Sequence, residues 1–194
     1  MKISSAQLST RTSDRSLVIA RQFAIVIGAS FFVALCARVT LPLPFTPVPL
    51  TLQNFAVLLV GLVLGSRRGF AALGLYLVEG AMGLPVFNPI GPGGLAQLLG
   101  PTGGYLIAYP VVAFLAGWLW ERGSKHFTRA FISVIAAEVL LFAAGVSWLV
   151  LLLHVPFARA AQFGFYPFVF AEVIKVMSAA ALTMRFQKFY RQQS

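Results

Sequence analysis

Long stretches of this chain carry no charge at all; Gly80 to Trp120 and Val139 to Ala158, among others, contain no Asp, Glu, Lys or Arg. Runs of that kind cannot cover themselves with hydrated side chains, and about 18 apolar residues in succession mark a segment that crosses a bilayer. The rest of the chain agrees. Of 194 residues, 59% are apolar and 10% are charged, and mean hydropathy is +0.85. A soluble domain carries roughly 25% charged residues. An all-α membrane protein follows, because a helix satisfies its own backbone hydrogen bonds in lipid. The length allows one domain of about six transmembrane helices with short loops, and no soluble catalytic domain.

A net charge of +10 would suit nucleic acid, but the positions of the charges argue for topology instead. Twelve of the fifteen basic residues fall into four clusters: at the N-terminus (Lys2, Arg11, Arg15, Arg21), after the second apolar segment (Arg67, Arg68), after the fourth (Arg122, Lys125, Arg129) and at the C-terminus (Arg185, Lys188, Arg191). Alternate ends of six helices share one side of a membrane. The positive-inside rule therefore places both termini in the cytoplasm, with anionic lipid heads rather than nucleic acid as the partner of the basic residues. Residues 1–15 read as a disordered cytoplasmic tail and residues 16–190 as a single transmembrane domain. No short apolar run followed by a small-residue cleavage site marks a signal peptide. The one cysteine, Cys36, allows no internal disulfide and no cysteine-based metal cluster.

The apolar segments are punctuated in two unusual places. Span one, about Leu17 to Thr40, ends at Leu41-Pro-Leu-Pro-Phe-Thr-Pro-Val-Pro49, where prolines at 42, 44, 47 and 49 forbid a helix and favour an extended path folded back over the outer surface. Spans two (Thr51 to Gly65) and three (Phe70 to Leu84), joined by Ser66-Arg67-Arg68, are short for a crossing of about 30 Å. Residues 85–104 hold glycines at 91, 93, 94, 100, 103 and 104 among four prolines. That segment is too broken for a spanning helix and too apolar for a free loop. Irregular backbone at membrane depth has to line a cavity or lie buried in protein, so a cavity-lining outer loop is expected. Span four (Tyr105 to Trp120) contains Pro110, span five (Ala130 to Leu153) contains Glu138, and the outer loop His154 to Gly164 leads to span six (Phe165 to Met184).

Span six carries the most informative pair, Glu172 and Lys175. A charged side chain near a bilayer centre costs about 2.5–3.5 kcal/mol, and residues kept at that cost usually face a binding site or pathway. At i, i+3 the two share one helical face, where they neutralise each other or hold a polar ligand between them. The competing reading is a buried ion pair that only fixes packing. Gln53, Asn88, Gln97 and Tyr105 belong to the same outer half and can converge with the pair on a pocket open to the outside. Arg38 and Arg159 could add positive potential at its mouth, although an Arg at a helix end commonly snorkels. Glu79 and Glu138 read as helix-packing partners in preference to site groups.

Other motifs fail. Gly91-x-Gly93-x-x-Ala96 lacks the strand and αβ unit of a dinucleotide site, and no Gly-x-x-x-x-Gly-Lys-Ser/Thr, His-Glu-x-x-His or Gly-x-Ser-x-Gly occurs. His126 and His154 fall on opposite faces of the membrane and cannot share a metal. An enzyme is disfavoured, and neither a catalytic residue, a cofactor nor a metal is expected.

Three stretches together resemble the BioY family, the biotin-binding S components of energy-coupling factor (ECF) importers. They are Leu41-Pro-Leu-Pro-Phe-Thr-Pro-Val-Pro-Leu-Thr-Leu-Gln53; Gly83-Leu-Pro-Val-Phe87 running through Gly93-Gly-Leu to Gly100-Pro-Thr-Gly-Gly-Tyr105; and Tyr166-Pro-Phe168 followed by Glu172-x-x-Lys175. The similarity spans roughly residues 24–185. The family typically reads Pro-Phe-x-x-Gly-Asp-x-x-Lys in span six, whereas here Ala171-Glu172 stands in place of Gly-Asp. The resemblance implies a six-helix S component in a prokaryotic cell membrane. It would capture biotin outside and dock on a membrane-embedded coupling subunit driven by paired cytoplasmic ATPases. Glu172 would accept from a ureido N–H, Lys175 would donate to an oxygen, and Asn88, Gln97, Tyr105 or Gln53 would address the remaining polar atoms. Docking on the coupling subunit is expected through span one. There Ala24-x-x-x-Gly28 and Ser30-x-x-x-Ala34 set small residues at helical spacing, and S components of this class use a small-residue motif in the first helix. Packing of these residues against the protein's own helices is the competing reading.

A secondary transporter for another small anionic metabolite and an intramembrane enzyme remain as alternatives, and biotin titration separates all three. For topology, a cysteine introduced in the 121–129 loop should resist a membrane-impermeant thiol reagent in intact cells. Efficient labelling there would overturn the expectation that both termini are cytoplasmic.

Overall fold

The computed structural model describes the backbone of residues 5–193 and the side chains of residues 16–189. The first helix, α1 (Ser5–Arg38), meets no proline and only one glycine, Gly28, along its length. Its backbone is helical from Ser5, within the stretch expected to be a disordered tail; residues 1–4 lie outside the described residues. Two short strands follow, β1 (Thr40–Leu41) and β2 (Leu50–Thr51), paired antiparallel with Thr40 opposite Thr51 and Leu41 opposite Leu50. This clasp was not legible in the proline pattern. The prolines keep the intervening loop extended, and the ladder closes its ends. The loop is tied down where Thr46 Oγ1 donates to the Phe163 carbonyl at 2.6 Å.

Next come α2 (Gln53–Leu64) and α3 (Ser66–Ala81). The turn between them is a single residue, Gly65, at φ +83°, a conformation glycine adopts without a Cβ penalty. The helix therefore restarts at Ser66, and Arg67 and Arg68 ride exposed on its first turn instead of forming the expected turn. Glu121 completes the corner: its Oε1 accepts from the Ser66 backbone N–H at 3.0 Å and its Oε2 from the Ser66 hydroxyl at 2.7 Å. A carboxylate there satisfies an orphan donor and favours the positive end of the helix. After α4 (Gly94–Leu98) come α5 (Gly103–Glu121), which contains Pro110, α6 (Phe127–Leu153), α7 (Phe157–Gly164) and α8 (Val169–Gln193). The region expected to be the last outer loop thus holds a helix of its own, α7. The α7 and α8 axes differ by 58°, so α8 begins four residues later than span six was expected to.

By length and composition, α1 from Ser16, α5 and α6 are each sufficient to cross a membrane, and the bent α7–α8 pair provides a fourth candidate. The 12-residue α2 and the 16-residue α3 are as short as the sequence indicated. Their brevity follows from where they sit. Beyond Gln53 and Asn54 at its start, α2 is apolar all round and buried on most faces, packed among α1, α3, α5 and α8. It approaches α5 so closely that a Cβ on Gly61 would lie 2.4 Å from the Ala113 carbonyl oxygen. Small residues at such crossings bring backbones together where lipid offers no hydrophobic drive.

The small residues of α1 divide between two faces. Ala24 and Gly28 lie on its exposed side, and a Cβ at Gly28 would meet nothing within 4 Å. Ser30 and Ala34, expected on the same docking surface, are buried inside the protein. The Ser30 hydroxyl donates to Glu79 Oε2 at 2.5 Å, fastening α1 to α3. The cause is helical phase. The pair 30 and 34 lies six positions after 24 and 28, and at about 100° per residue that sets the two pairs about 120° apart around the helix. Glu79 thus has the packing role expected of it.

Candidate functional site

Polar residues collect around the start of α2. β2 delivers Thr51 and then Gln53 and Asn54, the first two residues of α2. α8 packs alongside and presents Glu172 and Lys175. Their spacing places both on one face, and Lys175 Nζ lies 2.7 Å from Glu172 Oε1. The ammonium also donates to the Thr51 carbonyl at 2.6 Å and to Asn54 Oδ1 at 2.9 Å. Those three acceptors match the three N–H donors of a lysine. Asn54 returns the contact through Nδ2, which donates to Glu172 Oε2 and, at 3.4 Å, to Glu138 Oε1 on α6. Glu138 Oε2 is buried with no hydrogen-bond partner.

Glu172, the Asn54 amide and the Thr51 carbonyl therefore surround one ammonium, and Glu138 joins them through Asn54, all four side chains buried. A buried charge deprived of its partner is strongly destabilising, so the group holds together as a unit. Glu138, read from sequence as a packing residue, belongs to this cluster.

Asn54, Glu172 and Lys175 form one wall of a narrow recess with a cavity volume of about 50 Å³. Val48 and Pro49 of the proline loop and Asn88 of the glycine-rich loop close it on one side. Tyr105 and Tyr109 of α5, Phe142 of α6 and Phe168 ahead of α8 supply aromatic walls. Of the residues expected at the site, Glu172, Lys175, Gln53, Asn88 and Tyr105 all line this recess. Several of their polar atoms are engaged structurally. Asn88 Oδ1 accepts from the N–H groups of Ile90 (3.2 Å) and Gly91 (3.3 Å), which shapes the loop. The Tyr105 hydroxyl donates to the Gly164 carbonyl at 2.7 Å and so ties α5 to the end of α7.

Gln97 is the exception. It is buried and is absent from the recess wall; its Oε1 accepts from the Gly93 N–H at 3.1 Å, holding the glycine loop from beneath. Because α4 turns its side chain under the loop, Gln97 works as a brace. Arg38 donates to the Pro85 carbonyl, and Arg159 bonds Gln162 Oε1 at 3.1 Å and sits 5.0 Å from the Phe163 ring centroid. Neither lines the recess.

Sequence reasoning missed Asn54 and Tyr109. The signal for Asn54 was present, an amide inside an apolar segment beside Gln53. Nothing local set Tyr109 apart from any other aromatic of a span.

The BioY family model matches residues 5–192. This chain belongs to the BioY family. A "probable biotin transporter BioY" of Pyrococcus horikoshii is 38% identical over 141 residues, covering 73% of this chain and 82% of that protein. The "biotin transporter BioY" of Thermotoga maritima is 39% identical over 164 residues, covering 84% and 95%. The crystal structure of the S-component for biotin from an ECF-type ABC transporter superposes with a TM-score of 0.80 over 96% of this chain and 95% of that one, at 24% identity, so the fold is shared. BioY proteins are transporter components and not enzymes.

Asn54 is the hinge of the polar cluster, since its amide bonds Lys175, Glu172 and Glu138. Asn54→Leu should lower stability by about 1–3 kcal/mol for the buried groups left unpaired. Thermal unfolding of the detergent-purified protein checks this, and an unchanged midpoint would show that the amide is dispensable.

Proposed function

We propose that this protein is the S component of a biotin importer, binding biotin from the outer side in the recess beneath the proline and glycine loops. The observation that carries the reading is the buried Glu172–Lys175–Asn54 group set against aromatic and apolar walls. Biotin pairs a ureido ring, rich in donors and acceptors, with an apolar thioether bicycle and a carboxylate tail. A pocket with a few convergent polar groups in an apolar lining suits such a molecule. The names of the relatives support the same substrate. Residues 16–190 would act as one binding domain, with several spans in a prokaryotic cell membrane and both termini in the cytoplasm. Delivery across the membrane would use a membrane-embedded coupling subunit and paired cytoplasmic ATPases.

Titration of the purified protein with biotin tests the reading directly, and absence of binding would refute it. Lys175→Met and Glu172→Leu should each weaken binding more than tenfold, at least about 1.4 kcal/mol, because the surviving member becomes an uncompensated buried charge. Glu172→Asp, which restores the residue usual in the family, should bind. Normal affinity in both well-folded single variants would reduce the pair to a packing device.

The exposed Ala24–Gly28 face of α1 is the part of the expected docking surface that is free to meet a coupling subunit. Ala24→Trp should abolish complex formation and uptake while biotin affinity stays intact. Ala34→Trp, aimed at the interior, should instead destabilise the protein. Uptake at the normal rate by Ala24→Trp would remove this face from the coupling scheme.

A further inference from the structure

The Tyr76 side chain of α3 is fully buried, and its hydroxyl stands between two partners. It donates to the Val86 carbonyl at 3.0 Å and receives the Gln53 Nε2 donor at 2.8 Å. Chemistry fixes the direction of both bonds. A backbone carbonyl only accepts, so the single phenolic proton goes to Val86 and the oxygen's remaining capacity is as an acceptor. The group it faces must then be the NH₂ end of the Gln53 amide. Turned the other way, the amide oxygen would confront a hydroxyl whose proton is already committed, leaving a buried acceptor unpaired. The side-chain direction of Gln53 is therefore set from outside the recess, by a tyrosine anchored on the glycine-rich loop.

The consequence falls on Gln53 Oε1. Gln53 lines the recess, and its Oε1 receives no hydrogen bond from the described residues. Gln53 is 1% exposed, and Oε1 is not among the sealed unpartnered atoms, which among the described residues are Gln97 Nε2 and Glu138 Oε2, so the little surface it keeps includes this oxygen. The neighbouring polar cluster differs in that every Lys175 donor and both Glu172 oxygens already have a partner within the protein, which a ligand would have to share or replace.

We infer that Gln53 Oε1 is an acceptor for a ureido N–H of the ligand, and that Tyr76 is a positioning residue that aims it through the Gln53–Tyr76–Val86 chain of hydrogen bonds. This rests on the biotin reading above and names the atom that would read one of the ligand's donors. Tyr76 has no place in the recess wall itself and acts through Gln53. Its ring is held independently, edge-on to Phe87 at 5.4 Å between centroids, so removing the hydroxyl leaves the packing in place.

The test is a double-mutant cycle on the full-length protein, with affinities measured for biotin and for two carba analogues, each with one ureido N–H replaced by CH₂. Tyr76→Phe should weaken biotin binding by about 5- to 30-fold, the range of a well-oriented hydrogen bond to a neutral group. The same substitution should have less than a twofold effect in a Gln53→Leu background, because the atom it aims is gone. Gln53→Leu should also lose the preference for biotin over one of the two carba analogues, since a site rejects a ligand lacking a donor only while its own acceptor is present. A loss from Tyr76→Phe that persists in the Gln53→Leu background would overturn the inference and make Tyr76 a loop anchor alone. Wild-type affinity in Tyr76→Phe, or undiminished discrimination against both analogues in Gln53→Leu, would overturn it equally. If the wild-type protein bound no biotin, the proposed function itself would fall, a result distinct from any of these.

Discussion

A single ammonium organises this molecule. Lys175 is buried among apolar helices, and a charge in that position is tolerable only when every donor finds an acceptor. Its three acceptors come from separate parts of the chain: a carboxylate one turn earlier on α8, an amide at the start of α2 and the backbone carbonyl of Thr51. Satisfying Lys175 thus fixes α8 against α2 and holds the end of the β clasp at the recess. Glu138 extends the same network to α6 through Asn54. The arrangement that makes the pair affordable in lipid also concentrates polar atoms beside an aromatic-walled space.

The loops that look least ordered in the sequence are fastened from several sides. The proline loop is closed by the β1–β2 ladder and held to the last residues of α7 by Thr46. The glycine-rich loop is held by Arg38 on Pro85, Tyr76 on Val86, Asn88 on its own turn and Gln97 on Gly93. Irregular backbone has no internal ladder to satisfy its polar groups, so where it packs against the helices side chains must do it. Several polar residues that look like ligand contacts in the sequence are therefore structural braces. Gln97 braces the loop from outside the recess wall, while Asn88 and Tyr105 line the recess and also hold neighbouring backbone.

Much of the fold was legible in the residues. Charge-free runs, proline and glycine punctuation and the spacing of basic clusters located six principal helices, with α1 starting twelve residues earlier and α8 ending nine residues later than expected, and short α2 and α3 followed from counting. The departures have local causes. A positive-φ glycine turned the α2–α3 corner in one residue, and α7 formed where Pro156 precedes an alanine-rich stretch free of helix breakers. On α1, small residues suggested a single surface, but helical phase separates Ala24 and Gly28 from Ser30 and Ala34.

The sequence by itself determined the class of protein, the family and the charged pair. Each depends on composition, contiguous motifs or i, i+3 spacing, and helical geometry converts such spacing directly into proximity. Only the tertiary structure decided which distant polar groups share a space. Asn54 and Glu172 are 118 positions apart in the chain, and Glu138 reaches them from a third helix. It also decided which way each amide faces: Gln53 lines the recess while Gln97 braces a loop, although both are buried glutamines in apolar surroundings. No local pattern encodes that difference, because the direction of a buried amide is set by whichever partners the packed helices bring within hydrogen-bonding distance.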